Sequence, residues 1–146
     1  MRVVFRLVLF FAILMMAASC LGQQTPATET GPIRSSPAYS EVLLRRTELQ
    51  ADLEALSADY TEANPKILDL RFEIASLDKS LERVFGVKPT ETGKLTLALG
   101  RLIVRKAALE TELSRLMRSY NKDHPEVKRA KRRVEIFDAA IKEVLK

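Results

Sequence analysis

The sequence predicts an all-α protein of two tandem antiparallel coiled-coil helical hairpins, four helices in all, and three observations support this. Among the 146 residues, 47% are hydrophobic and 29% charged, with five Gly and no Trp, as is typical of long amphipathic helices. Apolar residues recur in steps of three and four, the heptad pattern of coiled coils. A sixty-residue repeat aligns the apolar positions and turns of two segments. Heptad stripes fit hairpins packed together as a four-helix bundle as well as hairpins held apart.

The first 22 residues have the pattern of a bacterial export signal. Arg2 and Arg6 precede an uncharged apolar run over 7–18, which is shorter than the roughly 20 residues that a membrane span requires. We therefore expect this signal to be cleaved and not to anchor the protein in the membrane as a helix. The protein should then act outside the cytoplasm, in the periplasm or the outer envelope.

Two cleavage sites compete in this signal. The sequence Ala17-Ala18-Ser19-Cys20 resembles a lipobox, whose cysteine is acylated and becomes the mature N-terminus. Ordinary signal-peptidase cleavage after Gly22 is the alternative. Cys20 is the only cysteine, so an internal disulfide is excluded and stability has to come from packing. An N-terminal lipid would hold the protein at a membrane only if Cys20 is acylated.

Residues 23–36 are rich in Thr, Pro, Ser and Gly and predict a flexible tether. The first helix should begin after it, at Ser36-Pro37 or at Ser40-Glu41. A serine hydroxyl can accept the unpaired N–H groups of a first helical turn, and proline suits the first helical position.

The segment from residue 41 onward repeats sixty residues later, and this repeat defines the predicted domains. Hairpin 1 covers 37–87, a linker containing Gly and Pro covers 88–93, and hairpin 2 covers 94–146. The identical pairs are Arg45/Arg105, Leu49/Leu109, Leu53/Leu113, Leu56/Leu116, Tyr60/Tyr120, Pro65/Pro125, Asp78/Asp138 and Val84/Val144.

Each predicted helix carries one apolar stripe, or seam, and therefore needs a neighbouring helix. In hairpin 1 the seam is Val42, Leu49, Leu53, Leu56, Tyr60, Ile67, Leu70, Ile74, Leu77, Leu81 and Val84. In hairpin 2 it is Leu102, Leu109, Leu113, Leu116, Tyr120, Val127, Ala130, Val134, Phe137, Ile141 and Val144. Arg46 and Lys106 also fall on this side of their helices, where we expect them to weaken packing or to select the register.

The hairpin turns are predicted at Asn64-Pro65 and at His124-Pro125. Proline disfavours helical geometry in the residue before it but suits the first turn of the next helix, so the chain stops and restarts there. Tyr60 and Tyr120 each close the preceding arm. We expect their rings to pack over the tips while the hydroxyls reach solvent; ligand stacking is the alternative.

Charge is unevenly distributed between the two halves. Residues 41–87 carry ten acidic and six basic side chains, whereas residues 88–146 carry eight acidic and fifteen basic ones. Opposite charges should draw the hairpins together, within one chain or between chains. The densest basic stretch consists of Lys128, Arg129, Lys131, Arg132 and Arg133.

This basic stretch has two interpretations. It is either a solvated helix face partly neutralised by the acidic hairpin, or a site for an anionic partner. Such a partner could be a lipid headgroup, lipopolysaccharide, an acidic polysaccharide or an acidic protein. Export argues against nucleic acid, which would need the same charges.

The turn sequences Tyr60–Pro65 and Tyr120–Val127, each between heptad arms, resemble the periplasmic coiled-coil region of polysaccharide co-polymerases, the chain-length-determinant and exopolysaccharide-export proteins. The resemblance covers most of residues 41–146 and implies extended helical hairpins that act by oligomeric assembly. The family's second transmembrane helix and phosphate-loop domain have no counterpart in this sequence, so the resemblance extends to architecture only.

No catalytic or metal-binding pattern is recognisable. His124 is the only histidine, and neither a metal-ligand cluster nor a Ser/His/Asp or Cys/His arrangement has suitable spacing. We therefore expect a non-enzymatic protein without a cofactor. The predicted function is an envelope or secreted interaction and assembly module that self-associates or binds another envelope protein. A holdase-type periplasmic chaperone and an accessory factor in polysaccharide export are the alternatives.

Overall fold

The computed structural model describes residues 31–146; the predicted signal peptide, Cys20 and most of the predicted tether lie outside this range. Within it, 83% of the residues are helical and no strand is present, which confirms the predicted all-α class. None of the helices in 31–146 is both long and apolar enough to cross a membrane.

Six helices follow one another along the described chain. They are α1 (Gly31–Arg34), α2 (Pro37–Ser57), α3 (Pro65–Phe85), a 3-10 helix (Pro89–Lys94), α4 (Leu97–Ser119) and α5 (Pro125–Leu145). The predicted linker 88–93 is thus mostly helical itself, and the four long helices begin and end close to the predicted arms.

Each long helix begins at a side-chain cap. The caps Ser36, Asn64, Thr96 and His124 accept hydrogen bonds from backbone N–H groups two or three residues ahead. Proline occupies the first turn of α2, α3 and α5, where its missing N–H removes no helical hydrogen bond. The Ser36-Pro37 start is therefore the one that the chain adopts.

The predicted tether 23–36 is too long at its C-terminal end. Residues 31–36 are packed: Ile33 is only 3% exposed and Ser36 only 5%. Ile33 is the one large apolar residue of this segment, and it enters the main hydrophobic cluster at the start of α2. The N–H of Ala38 also donates to the carbonyl of Leu95 at 3.2 Å, which ties this end of α2 to the start of α4.

Helix α4 occupies the centre, because it packs against α2, α3 and α5, whereas α5 packs chiefly against α4. The buried side chains Leu99, Ile103 and Ala107 join α4 to the cluster formed with α2 and α3. The predicted seam omits all three. At the C-terminal end of the predicted hairpin 2 seam, Val144 is 36% exposed, so the prediction that it is buried is wrong.

Gly100 lets α4 approach α2 closely. A Cβ atom at this position would lie 2.8 Å from the Cβ of Glu41 and 3.0 Å from both the Cα and the carbonyl oxygen of Ala38. These neighbours are backbone and near-backbone atoms that cannot swing aside. A side chain at residue 100 would therefore have to push the two helices apart.

Replacing Gly100 by valine should lower the free energy of unfolding by about 2 to 3 kcal/mol, the usual cost of overpacking a tight helix contact. Urea denaturation followed by circular dichroism measures this change. The control is Ala51→Val at an exposed position of α2, where only a helix-propensity cost of about 0.5 kcal/mol is expected. Equal losses in the two variants would contradict the close α2–α4 contact.

Candidate functional site

The predicted turn residues lie at the two junctions between long helices. Tyr60 and Tyr120 are 53% and 47% exposed. The ring of Tyr120 stacks on His124, with 4.2 Å between ring centroids. The Nδ1 atom of His124 accepts the N–H of Glu126, so this imidazole caps a helix.

The basic stretch of α5 is exposed but largely neutralised. Lys128 pairs with Asp123, Arg129 with Glu126, Arg132 with Glu135 and Arg133 with Glu112, at 3.1 to 3.3 Å. Of the five basic residues of this stretch, Lys131 alone has no carboxylate within 4.0 Å among residues 31–146. All four carboxylates belong to residues 94–146, so the neutralisation comes from the same half of the chain and not, as predicted, from the acidic half. Four nearby carboxylates leave little surplus charge to attract an anionic polymer.

The two seam cations occupy equivalent places in the repeat. Arg46 contacts Asp78 on α3 at 2.5 Å, and Lys106 contacts Asp138 on α5 at 3.7 Å. Asp78 and Asp138 are themselves one of the repeated pairs. Each cation therefore meets an acidic residue on the next helix, and the repeat conserves the ion pair together with the apolar seam.

Asp138 is the centre of the second of these ion-pair sites. Lys142 donates to it at 2.7 Å and Arg83 at 3.4 Å, in addition to its contact with Lys106. The hydrogen bond from Lys142 lowers the pKa of the Asp138 carboxyl, and the charges of Lys106 and Lys142 and the bond from Arg83 add to this, while partial burial opposes it. Asp138 thus links α3, α4 and α5.

A groove runs along the surface between α3 and α4, and we call it the α3–α4 groove. One end is polar, has a volume of about 300 Å³ and is lined by Ser76, Lys79, Ser80, Arg83, Lys106 and Glu110. The other end is apolar, has a volume of about 520 Å³ and is lined mainly by Phe72, Leu113, Met117 and Val134. Phe72 and Glu110 line both ends, so the two spaces adjoin.

A second, more open concavity of about 670 Å³ lies where α4 meets α5, and we call it the α4–α5 face. It is lined by Leu97, Ala98, Arg101, Leu102, Arg105 and Phe137. Leu102 and Phe137 are seam residues that the prediction placed inside the hairpin, but both remain only half-buried. Leu97 is 41% exposed.

Sequence reasoning missed several residues of these surfaces, including Phe72, Met117 and Leu97. All three are large apolar side chains that lie off the predicted seams, and all are more than 40% exposed. An apolar residue on the polar side of an amphipathic helix was the available signal. Residues 31–146 contain no group of three or more His, Cys, Asp or Glu side chains that could hold a metal ion.

Comparisons with protein-family models, with curated proteins and with solved structures gave no significant match. The resemblance to polysaccharide co-polymerases therefore stays a prediction.

Replacing Asp138 by asparagine should destabilise the protein by about 1 kcal/mol at neutral pH, because the buried cation Lys106 loses one of its two carboxylate partners. The pKa of Asp138 is lowered by folding, so its contribution is complete above the unfolded-state pKa, near 4, and disappears as the pH falls through the lower folded-state pKa. The denaturation midpoints of the wild type and of Asp138→Asn should therefore converge in acid.

Asp123→Asn is the matched control for this experiment. Its side chain is 90% exposed and pairs only with Lys128, so its loss should leave the midpoint unchanged at every pH. A constant difference between wild type and Asp138→Asn from neutral to acid pH would contradict the stabilising role of the carboxylate.

Proposed function

We propose that this chain is an exported, non-enzymatic assembly module of the cell envelope, which binds a second copy of itself or another envelope protein. The observation that carries the proposal is the α4–α5 face, where Leu97, Leu102 and Phe137 surround an open concavity. The seam residues Leu102 and Phe137 keep part of their apolar surface exposed beside the exposed Leu97, which indicates a missing neighbour.

The composition of this face is that of a protein-binding surface. Its centre is apolar, and Arg101 and Arg105 stand beside it. Arginine and aromatic side chains are enriched in protein interfaces and at their energetic hot spots. Arg101 is 70% exposed, and its nearest carboxylate, that of Glu41, is no closer than 4.0 Å, so its guanidinium can turn toward a partner.

In the proposed architecture, the long helices form two tandem antiparallel hairpins that pack together in one bundle with α4 at its centre. Arg46 of α2 and Asp78 of α3 lie at similar distances along the chain from the turn between the two helices, so their contact supports an antiparallel α2–α3 pair. The contact between Arg133 and Glu112 supports an antiparallel α4–α5 pair. Arg118 of α4 contacts Asp69 of α3, which supports packing of the two hairpins with their turns at the same end.

The proposed location follows from the sequence of residues 1–22, which predicts export. The Thr- and Pro-rich segment that follows is the predicted tether between the mature N-terminus and the helices. If Cys20 is acylated, the module works at a membrane surface; if cleavage occurs after Gly22, it works in the periplasm or beyond.

The Leu97→Asp variant tests the proposed assembly. Leu97 is the first residue of α4, where an acidic side chain is favourable for the helix, so folding should be preserved. Light scattering on the size-separated protein should give an oligomer for the wild type at low and high salt, because apolar contacts resist screening. The variant should shift toward the monomer.

Leu68→Asp is the control, because Leu68 is similarly exposed, at 40%, but lies on α3 outside this face. It should assemble as the wild type does.

A photo-crosslinker at residue 137 extends the test to other envelope proteins. The proposal fails if the wild type is a monomer at all salt concentrations and residue 137 crosslinks to nothing in envelope extracts. If that monomer suppressed aggregation of unfolded clients, the second candidate, a holdase, would replace the proposal. The ten large hydrophobic side chains that are exposed within residues 31–146 favour that candidate.

A further inference from the structure

The α3–α4 groove is chemically polarised along its length. Phe72, Leu113, Met117 and Val134 line its apolar end, where the one cation, Arg118, is paired with Asp69. Lys79, Arg83 and Lys106 stand at its polar end. Lys106 and Met117 are eleven residues apart on α4, which corresponds to roughly 16 Å along the helix. An elongated ligand that is apolar over most of its length and charged at one end would match this arrangement.

The polar end has a surplus of positive charge. Glu110 accepts hydrogen bonds from Lys106 and Ser76, so its charge is held within the protein. Asp138 is shared among Arg83, Lys106 and Lys142. Lys79 has no carboxylate within 4.0 Å among the residues that the structure describes.

Two of these cations are available to an incoming ligand. Lys79 is exposed, and Arg83 makes a single long contact of 3.4 Å with Asp138, whose shortest contact is with Lys142 at 2.7 Å. The hydroxyl of Ser80 also lines this end, but it donates its proton to the carbonyl oxygen of Ser76. The ammonium group of Lys79 and the guanidinium group of Arg83 together form a suitable environment for a carboxylate or phosphate.

The geometry points to a binding site for a single-chain anionic amphiphile, such as a fatty acid, whose acyl chain lies between Phe72 and Met117 and whose headgroup contacts Lys79 and Arg83. The exposed fractions of Phe72 and Met117, 41% and 47%, give the chain an apolar surface to cover. The charge surplus at the opposite end determines the sign of the headgroup. This site is separate from the α4–α5 face and does not depend on assembly there.

The Met117 methyl group is a direct reporter of this site. The chain has four methionines, and the other three lie at residues 1, 15 and 16, so carbon-13 labelling of methionine methyl groups gives few NMR signals. The Met117 signal is identified by its absence from the Met117→Gln variant. Titration with laurate below its micelle concentration should shift this signal saturably without changing the helix content.

Two other compounds separate the contributions of the acyl chain and of the anionic headgroup to binding. Acetate, which has the head without the chain, should not shift the Met117 signal. Dodecyltrimethylammonium, whose alkyl chain is one carbon longer and whose charge is opposite, should still bind at least about fivefold more weakly than laurate, as loss of an exposed charge contact implies. Equal affinity for the two amphiphiles, or a response to acetate alone, overturns the proposal.

Variants then test the assigned residues. Lys79→Gln should weaken laurate binding about fivefold, whereas Lys131→Gln, at an exposed lysine of α5 that also lacks a carboxylate partner in residues 31–146, should leave it unchanged. Leu97→Asp should bind laurate as the wild type does, which separates this site from the proposed assembly. If the Met117 signal instead shifts with protein concentration alone, a second copy fills the groove and the lipid assignment is wrong.

Discussion

The burial of α4 on more than one side is the constraint on which the rest of the structure depends. A helix with three neighbours needs apolar side chains around much of its circumference, and Leu99, Ile103 and Leu109 supply them. It also needs one place where a neighbour can come close, which Gly100 provides against Ala38. Lys106 is then the unusual residue of this helix, because it is only 7% exposed. Its charge is tolerated because Glu110 and Asp138 both contact it, as a buried cation requires.

The same constraint produces both candidate surfaces. Because α5 packs chiefly against α4 and little against α2 or α3, the bundle is not closed all round. On one side, the partly covered α4 and α3 leave a groove that ends at Phe72 and Met117. On the other side, the exposed Leu97 of α4 and the partly buried Phe137 of α5 line the α4–α5 face. An incompletely closed bundle thus combines a stable centre with apolar surface that a partner or a ligand can cover.

Heptad periodicity and the repeat were sufficient to predict the fold class and most of the buried side chains, including Val42, Leu49, Ile67 and Leu77. They could not predict the second buried side of α4, since a repeat implies equivalent environments for both hairpins while only α4 lies at the centre. The nearly continuous apolar run from Leu97 to Val104 was the available signal.

The neutralisation of the basic stretch could be predicted in part from the sequence, because Glu126 and Glu135 stand three residues from arginines on the same helix. The α3–α4 groove could not be predicted from the sequence, because heptads do not specify the relative position of two hairpins.

Hydrogen exchange of the backbone amides, read by mass spectrometry, measures the central position of α4 most directly. Exchange requires local or global opening, so the slowest amides mark the part of the chain that opens only when the whole protein unfolds. The amides of residues 99–109 should be the slowest in the chain, and those of α5 should exchange faster than those of α4. If α4 and α5 exchange at the same rate, and both faster than α2 and α3, the two halves fold independently and α4 is not the centre of the molecule.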